Sequence, residues 1–137
     1  MLGANCVLVV DDECAIVDFV CEVLTDEGYT ALSATDGLSA LALIAAHPPT
    51  LLLVDLRMPG MSGAGLIARL HADGLVGFPI VMMTGSPEEA RMAELGISAV
   101  LPKPFEIEEL LSCVAQYVPR PGGERLRLKH RTNPPKP

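Results

Sequence analysis

The sequence has few basic residues over most of its length and no long apolar run. Residues 1–118 contain 4 Lys and Arg against 16 Asp and Glu, which gives a net charge of −12. Nucleic-acid binding depends on Lys and Arg contacts to phosphate, so an acidic body disfavours it. Half of the residues are apolar, yet no stretch approaches the ~18 consecutive apolar residues that a membrane helix needs. The sequence therefore predicts neither a membrane span nor direct nucleic-acid binding by this part.

Secretion signals and cysteine-based sites are also missing. The N-terminus lacks the basic start and the cleavage site of a signal peptide, so we expect a cytoplasmic protein. Cys6, Cys14, Cys21 and Cys113 form no C-x-x-C pair and have no metal-ligand spacing to the three histidines. We interpret them as small apolar filling in a reduced protein.

The length predicts one domain, followed by a segment of different composition. The chain of 137 residues is long enough for one core and too short for two. We expect the domain to span residues 1–118. Residues 119–137 are rich in Pro and Gly and carry a net charge of +5, as is typical of a tail or a linker. A stand-alone protein and a fragment of a longer one both fit, and we expect the stand-alone form because the chain begins with Met.

Short apolar runs alternate with amphipathic segments of helical period along the chain. The predicted strands are Cys6–Val10, Tyr29–Ala34, Leu51–Val54, Pro79–Met83 and Ala99–Leu101. The predicted helices run from Cys14 to Gly28, from Asp36 to Ala46, around Leu66–Gly74, from Ser86 to Gly96 and over Glu106–Val118. Five strands that alternate with five helices predict an α/β fold, with a parallel sheet covered by helices on both faces.

The fourth helix has the clearest start signal in the sequence. Ser86 is a typical N-cap, Pro87 suits the first turn, and Glu89 occupies the capping-box position. We therefore expect one continuous helix from Ser86 to Gly96.

Polar side chains follow four of the five predicted strands where each strand ends. Asp11 and Asp12 follow the first strand, Asp55 the third, Thr84 the fourth and Lys103 the fifth. Because parallel strands share one carboxyl edge, we expect these side chains to converge there. Clustered carboxylates suit Mg²⁺, and an Asp beside such an ion is able to attack phosphorus. A Lys and a hydroxyl would then receive further phosphoryl oxygens.

Four sequence motifs occur in order around these residues. They are Val9-Val10-Asp11-Asp12-Glu13, then Val54-Asp55-Leu56-Arg57-Met58-Pro59-Gly60-Met61-Ser62-Gly63, then Met83-Thr84-Gly85, and finally Leu101-Pro102-Lys103-Pro104-Phe105. With these motifs the chain resembles the receiver domain of two-component response regulators over residues 5–118. The resemblance implies a flavodoxin-like, doubly wound (βα)5 fold and a switching module rather than an enzyme.

The resemblance also implies a mechanism and partners. Asp55 would accept a phosphoryl group from the phosphohistidine of a sensor histidine kinase or a phosphotransfer protein. Asp12, Asp55 and the backbone carbonyl of Arg57 would ligate Mg²⁺, with Asp11 supporting the ion through water. Thr84 and Lys103 would contact the phosphoryl group. Phosphorylation would switch contacts to a downstream protein. The sequence does not decide whether the chain also forms a homodimer.

The resemblance implies a cis peptide bond between Lys103 and Pro104 as well. Two positions depart from the common pattern. Val100 stands where receivers often carry an aromatic switch residue, so a readout through Thr84 and backbone shifts is the alternative. Arg57 has three open placements: over the phosphoryl group, paired with an acid such as Glu13, or in solvent.

Two other functions fit part of this pattern. A haloacid-dehalogenase-type aspartyl phosphatase also uses a strand-end Asp with Mg²⁺. Such enzymes have the motif Asp-x-Asp after the strand, with the second Asp as general acid, and in this chain Arg57 occupies the position of that second acid. Arg57 cannot donate a proton at neutral pH. A degenerate receiver that acts as a constitutive interaction module usually loses the acids or the lysine, and this sequence retains all of them.

Overall fold

The strands and helices alternate strictly along the chain. The computed structural model describes residues 5–120. The strands are β1 (Cys6–Val10), β2 (Thr30–Ala34), β3 (Leu51–Asp55), β4 (Ile80–Thr84) and β5 (Ala99–Pro102). The helices are α1 (Cys14–Asp26), α2 (Gly37–Ala46), α3 (Gly63–Ala72), α4 (Met92–Leu95) and α5 (Ile107–Ala115). The predicted tail lies outside the described residues from 121 onward.

All neighbouring strands are parallel, in the order β2-β1-β3-β4-β5. The chain moves outward from β1 to β2, returns across β1 to β3, and then continues to β4 and β5. This reversal of direction is what makes the sheet doubly wound. The predicted α/β fold with a five-stranded parallel sheet is confirmed.

The sheet is buried because helices pack on both of its faces. Every residue of β1, β3 and β4 is buried, which explains why these strands are continuous apolar runs. On one face Val7, Val9 and Leu53 pack against α1 and α5. On the other face Leu52 and Val54 pack against residues of α2 and α3.

The prediction of one helix from Ser86 to Gly96 is wrong. A 3₁₀ turn spans Pro87–Glu89, Ala90 is extended, and α4 has only four residues. The Ser86 N–H donates to Thr84 Oγ1 at 2.9 Å, and the Glu89 carboxylate pairs with Arg57. The Ser86 N–H and the Glu89 carboxylate, which would bond to each other in the expected capping box, therefore have other partners, and the Ser86 side chain makes no cap hydrogen bond.

The remaining element ends agree closely with the predictions. α4 ends at Leu95, and the predicted terminator Gly96 follows it with a left-handed φ of 72°, as is common after a helix. α5 ends at Ala115, three residues before the predicted end, and a capping box between Glu106 and Glu109 begins it. Among the described residues, no helix has the length and apolar character to cross a membrane.

Candidate functional site

Three carboxylates meet at the carboxyl edge of the sheet. Asp11 and Asp12 follow β1, and Asp55 is the last residue of the neighbouring strand β3. One carboxylate oxygen from each of these residues lies within 4.8 Å of the other two. Asp11 and Asp55 are buried, whereas Asp12 is exposed. The predicted convergence of these acids is present in the structure.

Lys103 lies between the two buried carboxylates. Its Nζ atom donates to Asp11 Oδ2 and to Asp55 Oδ1, both at 2.8 Å. Glu13 Oε1 is more distant, at 3.8 Å. The lysine side chain is only 17% exposed, so these contacts are partly shielded from water and stronger than surface ion pairs.

The backbone fixes the position of these side chains. Asp11 Oδ1 accepts from the Glu13 N–H at 3.0 Å, which holds the loop after β1 in place. The Lys103 N–H donates to the Thr84 carbonyl at 2.8 Å and so connects the ends of β4 and β5. The Lys103–Pro104 bond is cis, as the resemblance implies.

Burial and neighbouring charge shift the pKa values of the central pair. Burial raises the pKa of Asp55, and Asp11 and Asp12 add to this effect, while the hydrogen bond from Lys103 opposes it. Burial lowers the pKa of Lys103, but the hydrogen bonds to Asp11 and Asp55 outweigh burial, so the pKa of Lys103 is raised overall. Three carboxylates face one ammonium group here, which leaves excess negative charge for a cation to balance.

Thr84 is 2% exposed at the end of β4. Its Oγ1 accepts the Ser86 N–H, so the hydroxyl holds the start of the following loop. Thr84 therefore belongs to the same strand edge as the acids and Lys103, as predicted.

Arg57 pairs with an acid, but not with the acid that we named from the sequence. Its guanidinium contacts the Glu89 carboxylate in the 3₁₀ turn, whereas Glu13 lies near Lys103. The Arg57 side chain is 68% exposed. Arg57 and Glu89 line a groove of about 480 Å³ between the loops that follow β3 and β4. The sequence does not reveal this contact, because Glu89 also fits the capping-box position of a helix that begins at Ser86.

Two residues that position the site were missed. Ser62 caps α3, since its Oγ accepts the Gly65 N–H at 3.0 Å. Gly63 packs so closely on β3 that an added Cβ would collide with the Asp55 carbonyl oxygen. The Ser-Gly pair that begins α3 is the sequence signal that could have indicated both roles.

Val100 lies in β5 opposite Met82 of β4. It is half-buried and packs against the core on the face that also contains Leu66 and Ile97. The position of the expected aromatic residue is thus taken by an aliphatic side chain that contributes to packing.

The model of the response regulator receiver domain family matches residues 7–115 of the chain. This chain belongs to that family. Receiver domains are signalling modules of two-component systems, in which response regulators interact with histidine kinases and phosphotransfer proteins. The predicted assignment to this family is confirmed.

Several curated proteins are similar to this receiver domain. Sporulation initiation phosphotransferase F of Bacillus subtilis is 33% identical over 116 residues, which are 82% of this chain and 93% of that protein. The phosphate regulon transcriptional regulatory protein PhoB of Pseudomonas aeruginosa is 36% identical over 126 residues, which are 89% of this chain but 55% of PhoB. The chain thus spans most of the first relative and about half of the second.

Solved structures of similar fold agree with this assignment. The chemotaxis protein CheY4 of Vibrio cholerae superposes with a TM-score of 0.78 at 31% identity, covering 84% of this chain and 99% of CheY4. The receiver domain of NtrX from Brucella abortus superposes with a TM-score of 0.74 at 33% identity, covering 81% and 96% of the two chains. The flavodoxin-like fold is therefore that of a CheY-like receiver domain.

Proposed function

We propose that Asp55 is the phosphoacceptor of this receiver domain. The observation that supports this role is the convergence of Asp55 with Asp11, Asp12 and Lys103 at one strand edge. A carboxylate oxygen of Asp55 attacks phosphorus, and an O–P bond forms as the N–P bond of a donor phosphohistidine breaks. The electron pair of that bond returns to the imidazole of the donor.

The donor set of the site fits a hard divalent cation. The three side chains offer only carboxylate oxygens, which are the ligands that Mg²⁺ prefers. Asp12, Asp55 and the backbone carbonyl of Arg57 are the proposed ligands, and Asp11 supports the ion through water. A bound Mg²⁺ would reduce the repulsion between the Asp55 carboxylate and an anionic phosphoryl group.

Lys103 and Thr84 are proposed to receive the phosphoryl oxygens. Lys103 already donates to Asp55, so its ammonium group is close enough to move onto an oxygen of a group attached there. Thr84 supplies a hydroxyl from the end of the neighbouring strand. With Val100 in β5, we propose that a shift of Thr84 and of the adjoining backbone changes contacts with a downstream protein.

The proposed function is signalling rather than turnover of an external substrate. The alternative of a haloacid-dehalogenase-type phosphatase needs a second acid at position 57. Arg57 is there instead, and its side chain is paired with Glu89. The alternative of a degenerate receiver is disfavoured because Asp11, Asp55 and Lys103 form the bonded group that the chemistry needs.

The proposed boundaries and partners follow from the same assignment. We place the receiver at residues 1–118 and treat residues 119–137 as a tail or linker, since the family match ends at residue 115 and α5 at Ala115. The proposed donor is a sensor histidine kinase or a phosphotransfer protein in the cytoplasm. The downstream target is proposed to be a protein or a second copy of this chain.

Phosphorylation by a small donor tests the assignment of Asp55. With acetyl phosphate and Mg²⁺, the wild-type chain is expected to gain one phosphoryl group, about 80 Da, in intact-mass measurements. Excess EDTA should prevent the gain, and Asp55→Asn should abolish it. Asp36→Asn is the matched control, because Asp36 caps α2 outside the acidic cluster. Phosphate retained by Asp55→Asn would contradict the assignment.

A further inference from the structure

The segment between β4 and α4 has the sequence of a helix but not the structure of one. Residues 86–89, Ser-Pro-Glu-Glu, are a typical helix start, and residues 90–95 contain neither Gly nor Pro. Four of the residue types in 90–95, namely Ala, Arg, Met and Leu, are strong helix formers. Ala90 is nevertheless extended, with a ψ of 110°, and α4 begins only at Met92. Local preference and observed structure conflict here, as is typical of functional segments.

The two groups that would begin this helix are each held by a residue near Asp55. In a capping box the Ser86 N–H would donate to the Glu89 carboxylate. In the structure the Ser86 N–H donates to Thr84 Oγ1 at 2.9 Å, and the Glu89 carboxylate pairs with Arg57. Thr84 ends β4, and Arg57 lies two residues after the end of β3. Both contacts therefore come from the sheet edge that contains the site.

Both contacts are of a kind that a new charge on Asp55 can break. The side chains of Arg57 and Glu89 are 68% and 43% exposed, and an exposed ion pair is weak because water screens it. A phosphoryl group brings a charge of about −1.5 to −2 and three acceptor oxygens. Arg57 then has a stronger partner than the Glu89 carboxylate. A shift of Thr84 towards the same group removes the acceptor of the Ser86 N–H.

Given the proposed role of Asp55 as phosphoacceptor, on which this inference rests, we propose that phosphorylation extends α4 from residues 92–95 to residues 87–95. The freed Ser86 N–H donates to the freed Glu89 carboxylate, and the Ser86 hydroxyl accepts the Glu89 N–H. The Ala90 N–H, which now donates to the Pro87 carbonyl at 3.1 Å, donates to the Ser86 carbonyl instead, as an α-helix requires.

This change connects the site to the surface beside β5. Ala90, Leu95 and Val100 all pack against the same side of the core. When Ala90 changes from extended to helical, the packing next to Val100 changes with it. The length of α4 thus reports the state of Asp55, and no aromatic side chain is needed at position 100.

Backbone chemical shifts of the unphosphorylated full chain test the role of the ion pair. Glu89→Gln removes the charge that attracts Arg57 but keeps a capping-box acceptor, since Gln also serves at that position. Arg57→Gln frees the Glu89 carboxylate. In both variants the Cα resonances of residues 87–91 should move downfield towards helical values. Glu88→Gln, which removes the exposed acid next to Glu89, is the matched control and should leave these resonances unchanged.

Unchanged resonances in Arg57→Gln or in Glu89→Gln would overturn the proposal, as would an equal movement in the Glu88→Gln control.

A second substitution tests whether Ser86 begins the extended helix. Ser86→Ala removes the side-chain cap but leaves the backbone N–H that bonds to Thr84. Added to Arg57→Gln, it should lower the ratio of extended to short helix about fivefold, which corresponds to the ~1 kcal/mol of a lost N-cap. An unchanged ratio would contradict a helix that begins at Ser86.

Phosphorylation of the wild-type chain tests the link to Asp55. With acetyl phosphate and Mg²⁺, the Cα resonances of residues 87–91 should move downfield in step with the gain in intact mass. A gain in mass with unchanged resonances would overturn the proposed extension of α4 and leave the phosphoacceptor role intact. No gain in mass would overturn the phosphoacceptor role, and the unphosphorylated variants would still decide whether the Arg57–Glu89 pair restrains the helix.

Discussion

At the scale of single residues, Asp55 and Asp36 are carboxylates in opposite electrostatic surroundings. Burial, reinforced by Asp11 and Asp12, raises the pKa of Asp55. The Ser39 N–H and the Ser39 hydroxyl lower the pKa of the exposed Asp36. The same residue type therefore opposes folding when ionised at one position and supports folding at the other.

Ionisation of Asp55 is expected to lower the stability of the metal-free chain. Because the pKa of Asp55 is raised in the folded state, protonation of Asp55 contributes to the free energy of unfolding fully below the unfolded-state pKa of about 3.9. This contribution is lost as pH rises through the folded-state pKa. Asp55→Asn cannot ionise, so in EDTA at pH 7 we expect it to unfold at higher urea concentration than wild type. The difference should shrink as pH approaches 4.

The substitution Asp36→Ala is expected to change stability in the direction opposite to Asp55→Asn. Because the pKa of Asp36 is lowered in the folded state, its ionised carboxylate contributes to the free energy of unfolding above the unfolded-state pKa. This contribution is lost as pH falls through the folded-state pKa. This variant should be less stable than wild type at pH 7, with a smaller difference in acid. A destabilising Asp55→Asn at pH 7 without metal would contradict the electrostatic description of the site.

At the scale of elements, the helix starts differ in whether a serine side chain caps them. Ser62 caps α3 with its side chain, whereas the Ser86 side chain caps nothing and its N–H bonds to Thr84. The local sequence at Ser86 is the better N-cap signal, yet the contacts of Thr84 and of Arg57 override it. Tertiary contacts thus decide which of the two serines stabilises a helix.

Alanine substitution of these two serines tests this difference. Ser62→Ala should lower the free energy of unfolding by about 1 kcal/mol, the usual cost of a lost N-cap. Ser86→Ala should stay within about 0.5 kcal/mol of wild type, as for an ordinary surface change. Urea unfolding measures both. The reverse order would indicate a continuous capped helix from Ser86.

The close approach of α3 to β3 gives another matched pair. An added Cβ at Gly63 meets the Asp55 carbonyl, so Gly63→Ala should cost about 1–3 kcal/mol, as other overpacked sites do. It should also slow phosphorylation, because the Asp55 backbone must move. At Gly65 an added Cβ finds ordinary contacts of 3.4 and 3.5 Å.

The control Gly65→Ala should therefore be neutral or more stable by about 0.5–1 kcal/mol, since Ala favours a helix over Gly. Thermal unfolding and the rate of acetyl phosphate labelling distinguish the two variants. Equal behaviour of both glycine variants would contradict the packing described at Gly63.

At the scale of the whole molecule, the sequence predicted the strands and the convergence of Asp11, Asp12, Asp55 and Lys103 at one sheet edge. β1, β3 and β4 are continuous apolar runs, as is typical of strands in a sheet covered on both faces. The acids follow β1 and β3, and Lys103 follows β5. Contacts between distant loops were not predictable. The Arg57–Glu89 pair joins residues 32 positions apart, and it exists only because the chain after β4 turns where a helix was expected.

The Arg120–Glu27 contact was likewise invisible in the sequence. Nothing local to Arg120 signals a partner, since the contact depends on how α5 ends beside α1. The close packing at Gly63 is partly indicated by the sequence. A glycine at a helix start has several explanations, and only the packed structure shows which one applies.

The most direct test of the central claim is to locate the phosphoryl group on the chain. Borohydride reduces an aspartyl phosphate to homoserine, which marks the modified residue for peptide mass spectrometry. After labelling with a donor in Mg²⁺, the chain should contain homoserine at position 55 alone. Homoserine at position 11 or 12, or labelling without any homoserine, would contradict the role proposed for Asp55.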